Sequence, residues 1–161
     1  MVTPVAKSEI LLGKLIPYFA MGMGGMTMST IMAVFLFGVP LRGSLWILFS
    51  TAALFMLTAL GMGLVISVLA RSQFVAAMVA IVTTFLPAFI LSGFLFDIRS
   101  MPQIIQVLTH IVAARYFVAI LQNSFLAGDV WPVLLRNAFG MGILCAVFLG
   151  IALLRFRKRL D

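Results

Sequence analysis

Residues 102–126 read PQIIQVLTHIVAARYFVAILQNSFL, and whether this stretch crosses a membrane decides how many spans the chain has. Gln106, Thr109, His110, Arg115, Gln122 and Asn123 are set among its apolar residues. An arginine costs roughly 2.5–3.5 kcal/mol at the centre of a membrane helix, while each Leu, Ile, Phe or Val contributes only about 0.3–0.6 in return. The balance is near zero, which does not favour a free-standing span. Ile104, Val107, Leu108 and Ile111 recur at helical spacing, with Gln103, Gln106 and His110 on the opposite face. The sequence therefore predicts two short amphipathic helices that dip into the membrane and return. This external re-entrant hairpin is expected to break near Ala113, Ala114 and Arg115.

The surrounding chain supports a membrane setting. Of its 161 residues, 64% are hydrophobic and 9% charged, and the mean hydropathy is +1.25. Soluble domains are nearer half apolar and a quarter charged, so the composition indicates an all-α integral membrane protein. A helix needs about 20 apolar residues to cross the hydrocarbon core. The runs 18–37, 45–69 and 74–96 meet this, and 133–154 does so with Arg136 and Asn137 near its start, within reach of the interface. The expected fold is a single membrane domain over 1–161: four transmembrane helices, an N-terminal cytoplasmic interfacial helix over 1–16, the hairpin over 102–126, and a basic tail over 155–161. The opening MVTPVAKSE lacks the apolar core of a cleaved signal peptide.

Charge sets the orientation. With both termini inside, Lys7, Lys14, Arg71, Arg155, Arg157, Lys158 and Arg159 are cytoplasmic, and Arg42, Arg99, Arg115 and Arg136 are outside. A fifth span would place the RFRKR tail outside, against the positive-inside rule. Trp46 and Trp131 then both lie at outer membrane ends, where an aromatic belt forms. The net charge of +7 does not indicate nucleic acid, because the basic residues are scattered between apolar runs.

No catalytic set is visible. The acidic residues are Glu9, Asp97, Asp129 and Asp161, His110 is the single histidine, and Cys145 lies in an apolar run. HExxH and GxSxG are absent, and GMGGM near Gly22 lacks the Gly-Lys-Ser/Thr of a phosphate loop. The chain is not expected to be an enzyme or to bind a cofactor or metal. Small residues recur every fourth position: Gly25, Ser29 and Ala33; Ala59, Gly63 and Ser67; Ala138, Gly142, Ala146 and Gly150. In lipid such stripes let helices approach closely, either within one chain or across a dimer face. Pro87 inside the third span removes a backbone hydrogen bond and is a candidate hinge.

Three patterns, in order, resemble a known family. TPVAKSEILLGKLIPYF at 3–19, LSGFLFDIRSMPQIIQVL at 91–108 and ARYFVAILQNSFLAG at 114–128 are similar to segments of type-2 ABC transporter permeases, bacterial exporters of drugs and small amphiphiles. The family often has proline where Asp97 stands. The resemblance implies a permease part of an ATP-driven exporter in the bacterial cytoplasmic membrane. It implies an ABC ATPase subunit that uses the ATP, a second permease half and membrane lipid as partners. Thr3, Pro4, Lys7, Glu9 and Lys14 would dock the ATPase, and Arg115 and Tyr116 would belong to the external hairpin. Similar permeases have six spans, so the chain matches a C-terminal portion, an internal loop standing at its start. The residues themselves fit an interfacial helix: Thr3 can cap it, Pro4 suits its first position, and Pro17 favours a break before the span. The alternative is a non-transporting accessory subunit or an inactive permease fragment.

Overall fold

A computed structural model describes residues 7–70 and 72–158, with side chains over 13–70 and 72–154. The first helix, α1, runs Lys7–Ile31 with Pro17 inside it. An interior proline loses one backbone hydrogen bond and crowds the carbonyl four residues earlier; here that residue is Gly13. Neighbouring turns hold a membrane helix together across such a gap. The expected break before Pro17 is therefore absent, and the N-terminal segment continues into a first span of Gly13–Leu36. A π-turn at Met32–Leu36 and Gly38, with φ of 63°, end the helix.

The second span, α2 (Leu45–Leu69), falls where the apolar run predicts. The third is composite: α3 (Gln73–Ala80), a π-turn at Ile81–Phe85, and α4 (Leu86–Leu91). Ser72 opens it by accepting from the Val75 N–H at 3.3 Å. Pro87 sits in the first turn of α4, directly after the π-turn. The wider i→i+5 spacing there absorbs the carbonyl that proline leaves without a partner. Thr83, exposed on the same stretch, satisfies its hydroxyl within the helix by donating to Val79 O at 2.6 Å. The span stops at Leu91, not at residue 96. Gly93 has φ of 87° and turns the chain, leaving Phe94, Leu95 and Phe96 exposed beyond the helix. Composition alone extends the run because those three residues are as apolar as the helix.

The segment expected to form the hairpin is sharply bent, a shape that fits a broken span or a re-entrant loop. After a 3₁₀ turn at Ile98–Ser100 come α5 (Gln103–Leu108), another 3₁₀ turn at Thr109–Ile111, α6 (Ala113–Gln122) and a π-turn at Asn123–Ala127. Its two arms, Gln103–Ile111 and Ala113–Ala127, meet at 92°, so the break falls at Val112. The last span is Trp131–Leu154, within α7 (Trp131–Lys158).

These elements make a bundle around α2, α6 and α7. Ile120, Leu134 and Met141 are buried together, with Phe55, Tyr116, Phe117 and Ala138 packed around them. Phe55 and Phe117 stack with centroids 4.5 Å apart and planes 5° from parallel. Phe55 lies ten residues into α2, about 15 Å along its axis at 1.5 Å per residue. Phe117 of α6 therefore packs against the interior of α2 and not against its end. The first and third spans are peripheral, with 6% and 0% of their most apolar windows buried.

Candidate functional site

Arg115, the residue that makes a fifth span unfavourable, closes the hairpin. It stands in the first turn of α6 and reaches back to the end of α5. Its Nη1 donates to Gln106 O at 3.1 Å and to the Thr109 hydroxyl, and lies 3.0 Å from His110 Nδ1. A cation at the C-terminal end of a helix meets its unpaired carbonyls, a favourable placement. Gln106 Nε2 donates to Met101 O at 2.8 Å, and the Tyr116 hydroxyl to His110 O at 3.1 Å. Arg115 and Tyr116 thus both tie α6 to the turn before it. The apolar residues Ile104, Val107, Leu108 and Ile111 of this arm face outward and are exposed, while Thr109 is fully buried. The arm is amphipathic: Gln106 and Thr109 on its polar side turn into the protein, while Gln103 and His110 stay exposed.

That polar side borders a cavity of about 1060 Å³. It lies between the hairpin, the turn after α4 and the start of α7, and its wall includes Asp97, Arg99, Gln106, Arg115, Arg136 and Phe139. Asp97 Oδ1 accepts from the Arg99 N–H at 3.0 Å. The side chains of Arg99 and Arg136 are exposed.

A second feature has no sequence expectation behind it. The loop before α2 is clamped to the hairpin's exit: Gly43 N–H donates to Ser124 O and Ser44 N–H to Asp129 Oδ2, both at 2.7 Å. Ser44 is the N-cap of α2 and makes no side-chain cap bond, so Asp129 supplies the negative charge that a helix N-terminus favours. A Cβ at Gly43 would lie 2.6 Å from Asp129 Oδ1 and 2.9 Å from Ser124 O, which is why glycine stands there. Asn123 Nδ2, Ser124 Oγ and Asp129 Oδ1 are buried in this region without a protein partner, and bridging water would satisfy them. One signal was available: GSLW at 43–46 and GDVW at 128–131 repeat one pattern before two spans.

The small-residue stripes divide unevenly. A Cβ at Gly25, Gly63, Gly142 or Gly150 would meet nothing within 4 Å, so these glycines do not mediate contacts within the chain. Gly25, Ser29, Gly63, Ser67 and Ala146 are exposed, with Ala59 only partly buried. Within the spans, the glycines at close contacts are Gly22 against Met56, Gly61 against Leu149 and Gly140 against Tyr116. Each begins a GMG triplet, at 22–24, 61–63 and 140–142. Positions two apart on a helix point about 200° from each other. The first glycine of each triplet therefore faces a neighbour in this chain and the second faces away. Of the predicted docking residues, Thr3 and Pro4 and the side chains of Lys7 and Glu9 lie outside the described residues, and Lys14 is exposed.

Comparison with known proteins places this arrangement. Residues 1–126 match the model of the ABC-2 type transporter family. The chain belongs to that family. With four helices long and apolar enough to cross a membrane, this ABC-2 chain is an integral membrane protein. It is 48% identical over 159 residues to "Probable multidrug ABC transporter permease YbhS" of Escherichia coli (strain K12), covering 99% of this chain and 42% of that protein. It is 27% identical over 146 residues to "Probable multidrug ABC transporter permease YbhR" of the same strain, covering 86% and 39%. To "Inner membrane transport permease YhhJ" of that strain it is 29% identical over 162 residues, covering 98% and 42%. The chain spans about two fifths of the length of these relatives. No solved structure matches it.

Proposed function

We propose that this chain is the C-terminal membrane part of an ABC exporter permease in the bacterial cytoplasmic membrane. It moves a hydrophobic or amphiphilic small molecule outward, while a separate ABC subunit hydrolyses ATP. The observation that carries this is the continuity of α1 from Lys7 to Ile31. An unbroken helix joins the segment with the docking pattern to a span, so displacement at one end moves the other as a rigid body. The first span packs on α2, and α2 on α6, which gives the motion a contiguous route to the hairpin. Both termini are cytoplasmic in this account, and the hairpin and its cavity face outside.

The outward glycines suit a second permease half. Gly25, Gly63, Gly142 and Gly150 leave helix backbone uncovered, and close backbone approach is how membrane helices associate. Names of relatives supply the exporter class, since two are called multidrug permeases.

Docking is tested by co-purifying the full-length permease with its ATPase, comparing wild type with a K7E/E9K double variant. Reversed charges at a protein interface meet like charges on the partner. Coupled ATPase activity is expected to fall by about tenfold or more, with weakened co-purification. Unchanged assembly and unchanged coupled activity would contradict the docking role.

A further inference from the structure

The cavity beside the hairpin carries an unbalanced charge in a membrane setting. Three guanidinium groups, Arg99, Arg115 and Arg136, line it against one carboxylate, Asp97. The Arg115 guanidinium is engaged by the hairpin. Among the described residues, the side chains of Arg99 and Arg136 have no hydrogen-bond or ion-pair partner. Their donors are thus available, and guanidinium matches phosphate and carboxylate oxygens in a two-pronged geometry. Both side chains are exposed and line one cavity, so an anion there meets two guanidinium groups with free donors. The wall is not uniformly polar. Ile98 and Phe139 belong to it, and Phe139 is 73% exposed, so an apolar surface continues from the cavity along α7. A volume of about 1060 Å³ is at the upper end of ordinary small-molecule sites, which run to about 1,000 Å³.

We propose that this cavity binds the anionic headgroup of an amphiphile through Arg99 and Arg136, with the apolar body of the ligand lying against Phe139 and the neighbouring face of α7. A phosphate or carboxylate headgroup with an apolar tail meets every part of the wall; an inorganic anion meets only the charges, and a cationic amphiphile meets them with the wrong sign. Such an amphiphile reaches the cavity either as an anionic bilayer lipid or as carried cargo. Its role in export rests on the permease function proposed above, but the binding does not.

The test uses the 161-residue chain reconstituted in bilayer discs of zwitterionic phosphatidylcholine, with dodecyl phosphate as the probe and dodecyltrimethylammonium as the opposite-charge control. Wild type is expected to bind dodecyl phosphate in preference to the cation, and more weakly as salt is raised. An R99Q/R136Q variant is expected to lose about tenfold or more in affinity, the scale of one charge-assisted contact. An R99K/R136K variant, which keeps the charge but not the planar fork, is expected to lose less than R99Q/R136Q, and unchanged thermal unfolding of both variants shows that the loss is not a folding defect. Adding phosphatidylglycerol separates the two sources: competition identifies the bilayer lipid as occupant, and undiminished binding identifies the free amphiphile. Equal binding of the two probes, or full affinity in R99Q/R136Q, overturns the proposal. Either result, with the docking variant still impaired, would leave the permease function standing.

Discussion

Gly140→Val is expected to expel α6 from its seat between α2 and α7 and to destabilise the folded chain by about 2–3 kcal/mol, the range for overpacking a tight contact. A Cβ at Gly140 would lie 2.6 Å from Tyr116 Cε1 and 3.1 Å from Cδ1 and Cζ. The ring has little room to retreat, because its hydroxyl donates to His110 O at 3.1 Å and the adjacent Phe117 is stacked on Phe55. Apolar burial offers little compensation in lipid, where helix association rests on close packing. Thermal or detergent-induced unfolding of the purified chain measures the effect. Gly142→Ala is the paired control: two positions along the same helix, it meets nothing within 4 Å and is expected to leave the stability of the single chain unchanged. Equal losses in both variants would show that the Tyr116 contact is not what holds α6.

Arg115→Met is expected to have the larger consequence, because it acts on topology as well as stability. It removes donors to Gln106 O and Thr109 and the contact with His110, and hydrogen bonds from a charged group are worth roughly 1.5–3 kcal/mol each. It also deletes the roughly 2.5–3.5 kcal/mol that arginine sets against spanning. The segment 102–126 then reads as a span, and a fraction of molecules should insert it as one, carrying the C-terminal tail to the opposite side. A reporter fused after Asp161 follows this directly. Unchanged reporter location together with unchanged thermal stability would contradict the role given to Arg115. Arg115→Lys, which keeps the charge but not the planar fork, should lose stability without changing side.

The break within 102–126 was legible in the sequence because its signal is local. Arg115 and the polar face of 103–110 set its balance, and the break expected at Ala113–Arg115 falls at Val112. The four spans were legible for the same reason, since apolar length is a local property. What failed depended on geometry that spelling does not carry. Pro17 favours a break, yet the helix passes through it. The third span ends at Leu91 because Gly93 turns the chain, while the residues after it remain apolar. The four-residue stripes marked the glycines that face away, whereas Gly22, Gly61 and Gly140 make the contacts. Only one face of each GMG triplet can be inward, and the choice is fixed by where the neighbouring helix lies. The clamp of Ser44 to Asp129 joins residues 85 apart, beyond any local periodicity.

The central claim is that 102–126 enters the membrane and returns, and labelling from one side tests it most directly. In a Cys145→Ala background, which removes the single native cysteine, Ser100→Cys and Val130→Cys place thiols at exposed positions before and after the hairpin. A membrane-impermeant maleimide is added to intact cells whose outer membrane has been opened. Both positions are predicted to label from outside to similar extents. Labelling of one position only after the inner membrane is permeabilised would mean that the segment crosses, and that the chain has five spans.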